Sequence, residues 1–315
     1  MKVTLIATVL DAADHIGGFL ASIDAQTRRP DEVVIVDGGS TDGTRSTLAG
    51  AERVVIVESA GANIAQGRNL ALAAATHEII AVADADCSYD AGWLAALLAP
   101  IDAGADVAMG WTEPVVASFL DVVASSLGLP LSPDHIDEGS YMPSARSVAF
   151  RREAIDAVGG YPEWLAIGED MWVNHRWRER SFDMRLAPGA VARWTMRPDL
   201  GATWMQYVRY ARGDGQAQLY PERHALRFAV YTGLLVALGS RRTWPKALAA
   251  AGGTVYAREP LARARGRSRT ATERAACVVA VPALMAFTDA AKMAGYVLGL
   301  TDRLRGRVGR GPAQP

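Results

Sequence analysis

Uncharged runs alternate with polar, helix-patterned stretches along the first hundred residues of this chain. VTLIATVL comes first, EVVIV follows a turn at Arg29, Pro30 and Asp31, a third run lies within Arg53 to Glu58, and Ile79 to Ala83 makes a fourth. Runs this short and this apolar read as strands buried on both faces of a parallel sheet. Between them, helix signals cover His15 to Ala25 with Asp14 as its cap, a stretch starting near Thr44 with Ser40 or Asp42 before it, and NIAQGRNLALAAAT. Four strands alternating with helices predict a doubly wound, mostly parallel α/β layer with short crossovers.

Further along the pattern loosens. WTEPVVASFLDVVASSLG predicts a strand end and a helix, PLSPDHIDEGSYMPSAR a loop, and SVAFRREAI a strand running into a helix. Gly159, Gly160, Tyr161 and Pro162 make the next turn. Gly168, Glu169 and Asp170 then open a helix over Met171 to Arg180. A short strand is expected near Met184 and another at AVARWTMR, followed by a helix that carries Arg209 and Arg212 and closes at Gly213. From Pro221 the chain changes to three apolar segments separated by Arg-rich links, which divides it into an α/β domain, 1–215, and a helical appendage, 216–315.

With 315 residues, 50% of them hydrophobic, the chain can bury a full core. Net charge is near zero, but beyond Gly252 basic residues from Arg258 to Arg310 outnumber acids by roughly seven. An anionic surface fits that end. The two cysteines, Cys87 and Cys277, cannot build a disulfide framework, and no amino-terminal signal peptide is evident, so a cytoplasmic setting is expected. No uncharged run reaches the span of a bilayer; Ala275 to Thr288 stops at Asp289. The carboxy-terminal segments read either as helices packed on the enzyme or, the favoured reading, as helices in the headgroup region with arginines over anionic lipid. Nucleic-acid binding is not expected, because no aromatic stacking platform accompanies the arginines.

Candidate chemistry sits at the strand ends. The fourth strand stops at Asp84, Ala85 and Asp86, where two carboxylates can share one hard divalent cation and leave positions for phosphate oxygens. EVVIV ends at Asp37, followed by Gly38, Gly39, Ser40, Thr41 and Asp42, which suits either a nucleotide seat or a capped βα turn. Glu169 and Asp170 at a helix start are either dipole partners or catalytic acids. His135 with Asp134 and Asp137 lacks metal-ligand spacing and reads as a solvated loop.

Three segments, VTLIATVLDAADHIGGFLASIDAQTRRPDEVVIVDGGSTDGT, GANIAQGRNLALAAATHEIIAVADADC and AFRREAIDAVGGYPEWLAIGED, together resemble family 2 glycosyltransferases of the GT-A fold. One departure is that Leu10 and Asp11 stand where the family carries an aromatic residue and asparagine. The resemblance implies that Thr8 and Asp37 contact the nucleotide base, that Asp84 lies near the ribose, and that Asp86 holds the Mg²⁺ or Mn²⁺ bridging the donor diphosphate. It places Arg68 where a basic residue helps hold the nucleotide, makes Asp170 the general base, and gives Glu169 an orienting role.

The function so implied is inverting, metal-dependent transfer of a sugar from a nucleotide-diphosphate sugar to a hydroxyl acceptor. The basic tail makes a lipid-linked or cell-envelope glycan the expected acceptor, with the enzyme peripheral on the inner face of the cell membrane. Two rivals are a nucleotidyltransferase of related fold, which would bring a basic glycine-rich loop after the first strand where LDAADH has none, and a non-catalytic binding scaffold, which would not need both Asp86 and Asp170.

Overall fold

A computed structural model describes residues 1–51 and 53–308; Arg310 and the end of the expected appendage lie outside them. The described residues form two compact units, Met1–Pro114 with Ser132–Thr195, and Val115–Leu131 with Met196 onward. The boundary expected at residue 215 falls inside a helix of the second unit.

The first unit is built on β1 (Val3–Val9), β2 (Glu32–Asp37), β3 (Val54–Glu58), β4 (Ile79–Ala83), β5 (Cys87–Tyr89), β6 (Val107–Val115), β7 (Ser147–Arg151) and β8 (Met184–Thr195). Its helices are α1 (Ala13–Asp24), α2 (Thr44–Ala49), α3 (Ile64–Ala74), α4 (Trp93–Asp102), α6 (Arg152–Ala157) and α7 (Glu169–Glu179), with α5 (Phe119–Ser126) belonging to the second unit. One eight-stranded sheet runs β3-β2-β1-β4-β7-β6-β8-β5. The uncharged runs are its parallel heart: β1 pairs in parallel with β2 and β4, and β2 with β3. Every residue of β4 is buried, as its apolar run requires.

Beyond β4 the sheet turns antiparallel, and that half positions chemistry. Ala83 faces Ser147 across β4 and β7, so Arg146 enters beside Asp84. Cys87 faces Trp194 across β5 and β8, which brings Trp194 next to Asp86. The two short strands expected near Met184 and at AVARWTMR are the single strand β8, which carries Pro188 and Gly189 without breaking. Helix starts also differ. α1 begins at Ala13 with Asp14 inside its first turn, because Asp42 and Thr44 from the next loop accept the N–H groups of Ala13 and Ala12 and cap it from outside. α7 starts at Glu169, two residues earlier than expected, after Gly168 at φ 87°.

The second unit adds α8 (Leu200–Ala217), α9 (Pro221–Gly239), α10 (Thr243–Arg267) and α11 (Ala271–Leu304) to α5. α8 does not close at Gly213. The helix continues through Gly213 and Gly215, and at Gly215 α11 crosses at backbone distance: a Cβ on Gly215 would lie 3.0 Å from Gly299 Cα, and one on Gly299 would lie 2.1 Å from Arg212 O. Arg212 on that helix donates to Asp302 of α11 at 2.6 Å. Val122 and Val123 of α5, Ala257 and Ala264 of α10, and Val281, Leu284 and Met285 of α11 close the apolar core of this unit. α11 has the length and mean hydropathy, 1.5 over its most apolar window, to cross a membrane, yet 39% of that window is buried within the protein.

Gly110 of β6 has no room for a side chain, since a Cβ there would lie 1.9 Å from Ser147 Oγ and 2.6 Å from Ala190 O. Gly110→Ala should therefore force β6 away from β7 and β8 and cost about 1–3 kcal/mol, read as a lower melting temperature. An unchanged melting temperature would show that the strands have slack at this point.

Candidate active site

The carboxyl ends of β1, β2 and β4 meet at one rim of the first unit. Thr8, near the end of β1, packs against α3, where a Cβ on Gly67 would come within 2.9 Å of its methyl group. Asp37 ends β2 fully buried, and its Oδ1 accepts the Ser40 N–H at 3.0 Å and the Ser40 hydroxyl. Ser40 Oγ in turn accepts the Asp11 N–H at 2.9 Å, while Asp11 Oδ1 accepts the Thr41 N–H at 2.8 Å. Asp11 sits at φ 48°, a left-handed conformation that Asp and Asn tolerate best among side-chain-bearing residues. The glycine turn is thus fixed by both neighbouring strands. Leu10 beside it is exposed.

A buried guanidinium joins this rim to α7. Arg68 on α3, 2% exposed, donates to Glu169 Oε1 and, through its second terminal nitrogen, to Asp84 Oδ1 at 3.2 Å. The Tyr161 ring lies 5.4 Å from its central carbon. Asn69, next on α3, pairs its amide with the Tyr161 backbone in both directions, Nδ2 to O and Oδ1 from N–H, each 2.9 Å. These contacts explain why Gly159 and Gly160, at φ 82° and 79°, are needed: the turn folds tightly against a helix.

Burial raises both acids on the fork. Desolvation pushes Glu169 up to about 7 despite the attraction of Arg68, with the Asp170 charge adding to the rise. Asp84 is likewise raised by burial, with Arg68 and Arg146 opposing and Asp86 adding. Arg146 Nε stands 4.0 Å from Asp84 Oδ2, and its guanidinium stacks 4.2 Å from the Trp194 ring centroid. Trp194 Nε1 donates to Asp86 Oδ2 at 3.0 Å, and the Cys87 thiol lies 3.6 Å from Oδ1. Burial drives that thiol far up, so it acts as a weak donor rather than a thiolate.

Asp170 closes the ring of contacts. Its Oδ2 accepts the Ala145 N–H at 3.2 Å, one residue before Arg146, and its Oδ1 accepts the Met171 N–H at 2.8 Å. The loop leading to Ala145 is tied down by α7: Asn174 donates to Pro143 O at 2.7 Å, and Arg178 to the carbonyls of Glu138 and Tyr141. Asp84, Asp86, Glu169 and Asp170 therefore belong to one connected cluster. His135 bonds Ser132 within its own turn, and Asp137 accepts from Ser140 and Gly139.

Among the described residues no three His, Cys, Asp or Glu side chains converge as a protein-only metal cage. Asp86, with one oxygen engaged by Trp194, fits the other common arrangement, in which a divalent cation takes one or two carboxylates from the protein and the rest of its shell from phosphates and water. Sequence reading singled out the acids and Arg68 as site candidates but not Arg146, Trp194, Tyr161 and Asn69, which the structure connects to them. The first two reach the site through antiparallel register and the last two through a turn folding back on a helix, and neither leaves a periodic trace.

Residues 4–157 match the model of the family described as Glycosyl transferase family 2. An uncharacterized glycosyltransferase of Mycobacterium tuberculosis is 37% identical over 116 residues, which cover 36% of this chain and 50% of that protein. The pre-mycofactocin glycosyltransferase of the same species is 29% identical over 229 residues, covering 67% of this chain and 46% of that one. The chain thus spans about half the length of these relatives. Among solved structures, the mannosyltransferase PcManGT of Pyrobaculum calidifontis in complex with GDP-Man and Mn²⁺ superposes with a TM-score of 0.59 at 21% identity, over 96% of this chain and 88% of that one. The shared fold is GT-A, as the three sequence segments led one to expect.

The raised Glu169 has a measurable consequence for stability. Between the ordinary glutamate value, 4.5, and about 7 the folded chain holds a proton that the unfolded chain has lost. Stability should then fall as pH rises through that window, by up to about 3 kcal/mol. Glu169→Gln should flatten this slope in denaturant titrations at pH 5 and pH 8; a slope that persists in the variant would assign it to another group.

Proposed function

We propose, from the premise that residues 4–157 make this chain a member of glycosyl transferase family 2, that it moves a sugar from a nucleotide-diphosphate donor to a hydroxyl acceptor with inversion at the anomeric carbon. The observation that supports this most is the single cluster that links Asp86, at the exit of β4, to Asp170, at the start of α7. Two carboxylates at such a rim can serve the two ends of a displacement: one side toward the leaving diphosphate, the other toward the incoming hydroxyl.

In this reading the nucleotide lies along the strand ends. Thr8 and Asp37 border the base, with the Asp37–Ser40 turn setting the shape of that wall. Asp84 faces the ribose. Arg68, buried under Asp84 and Glu169, acts by orienting both carboxylates rather than by touching phosphate. Asp86 would hold a divalent cation, Mg²⁺ or Mn²⁺, whose charge offsets that of the diphosphate as it departs. Trp194 keeps the Asp86 carboxylate turned for this purpose, and Arg146 adds positive charge beside it.

Asp170 takes the proton of the acceptor hydroxyl as the acceptor oxygen bonds to the anomeric carbon. The bond from that carbon to the diphosphate breaks, and its electron pair leaves with the diphosphate oxygen. Attack from the face opposite the leaving group inverts the centre without a covalent sugar intermediate. Glu169, paired with Arg68, holds the first turn of α7 and hence its neighbour Asp170.

The apolar, basic second unit supports an acceptor presented at an anionic membrane surface, a lipid-linked or envelope glycan, with the enzyme peripheral on the cytoplasmic face. The fold neighbour solved with GDP-Man makes a nucleotide-diphosphate sugar the donor class to assay.

The test is nucleotide release from a panel of UDP-, GDP- and TDP-sugars with Mn²⁺. Asp86→Ala should lower turnover about a hundredfold or more, and Asp170→Asn about 10²–10⁴-fold with donor binding retained. Release that survives both substitutions would remove glycosyl transfer by this cluster from consideration.

A further inference from the structure

The distal half of the α9–α10 hairpin is built unlike any other part of the described chain. From Phe228 to Gly239, α9 is uncharged around its whole circumference, and only Ala237 is buried. Leu235 and Val236 are 70% and 68% exposed, and α10 continues the surface with Trp244, Leu248 and Val255. A helix apolar on every side belongs in a core or in lipid, not in water. No core covers this one within its own unit.

Charge says which apolar medium fits. Between Glu222 and Glu259 there is no acidic residue, while Arg223, Arg227, Arg241, Arg242, Lys246 and Arg258 are all present. The uncharged stretch of α9 between Arg227 and Arg241 is about 20 Å long at the helical rise, and that of α10 between Lys246 and Arg258 about 17 Å. Both fall well short of the roughly 30 Å hydrocarbon core of a bilayer. Cations at both ends of both stretches therefore cannot reach opposite headgroup layers. They can all reach the same one if the hairpin lies in the plane of the membrane.

The base of the hairpin is fastened differently. Asp289 of α11, almost fully buried, accepts from Arg227 Nε at 2.9 Å, Tyr231 OH at 3.0 Å and Tyr256 OH at 2.8 Å, so both arms of the hairpin are held to one carboxylate. α11 itself satisfies length and hydropathy for spanning a membrane, but it packs against α5, α8 and α10, and 39% of its most apolar window is buried within the protein.

We propose that the α9–α10 hairpin, and not α11, is the membrane element of this protein, lying along the headgroup and acyl boundary of an anionic bilayer with Arg241, Arg242 and Lys246 among the lipid phosphates. This rests on the membrane-associated reading of the second unit and adds which element makes the contact. α11 is the scaffold that carries the hairpin.

The full chain is tested by flotation with vesicles of phosphatidylglycerol and phosphatidylcholine, and with vesicles of phosphatidylcholine alone. Wild type is expected to float with the anionic vesicles, Leu235→Asp combined with Val236→Asp to lose partitioning about tenfold or more, and Val278→Asp combined with Val279→Asp on exposed positions of α11 to float as wild type. Because an aspartate pair can unfold a helix, an environment-sensitive dye on Leu235→Cys, with both native cysteines buried, gives a second reading: its emission should shift to the blue on adding anionic vesicles. Wild-type flotation that the hairpin pair leaves untouched, or that the α11 pair abolishes while the dye at position 235 stays unshifted, overturns the hairpin assignment yet keeps the membrane reading. A chain that floats with neither vesicle overturns both, and so does one whose hairpin is instead covered by a second copy in solution, seen as a dimer that the hairpin pair dissociates. Nucleotide release on a soluble acceptor, measured in the same variants, keeps either failure separate from that of the transfer chemistry.

Discussion

A guanidinium buried between two carboxylates is the constraint from which the site of the first unit follows. Arg68 comes from α3, Asp84 from the exit of β4, the next element, and Glu169 from the first turn of α7, 101 positions beyond Arg68. A buried ion pair of this kind contributes little net stability, because desolvation consumes most of the attraction. Its value lies in geometry. A charge that cannot be exposed cheaply and cannot be left unpaired fixes where β4 ends relative to where α7 begins, and so fixes Asp86 and Asp170, which flank the pair on either side.

The parallel half of the sheet was legible because burial on both faces writes itself as an uninterrupted apolar run. β4 is the clearest instance: five uncharged residues, all buried, ending at Asp84, Ala85 and Asp86. The acids stood out for the opposite reason, since a carboxylate directly after such a run breaks its apolar pattern. The antiparallel half was legible only in part: SVAFRREAI reads as a strand running into a helix, and β7 and α6 stand there. β8 carries a proline and a glycine in its middle and half-exposed residues along its length, so it reads as two fragments. Arg146 and Trp194 acquire meaning only once Ala83 is set opposite Ser147 and Cys87 opposite Trp194, and pairing register has no local signature.

Helix ends show the same division. Asn63 and Gln66 form a capping box that starts α3 where its sequence says it should start. α1 is capped by residues 29 and 32 positions beyond the N–H groups they accept, so the local rule named Asp14 and the fold used Asp42 and Thr44. α8 runs on through Gly213 and Gly215, and what Gly215 provides is room for α11.

That seam between α8 and α11 has an implication for how such a chain can diversify. Backbones in contact through Gly215, Gly295 and Gly299 accept no side chain, so this part of the second unit can vary very little. At the hairpin tip, by contrast, Leu235, Val236, Trp244 and Leu248 are exposed, so exchanging one apolar residue for another there disturbs little packing. On the membrane reading, a descendant could be retargeted to a surface of different lipid composition by altering a dozen residues at the tip, with the scaffold beneath inherited intact.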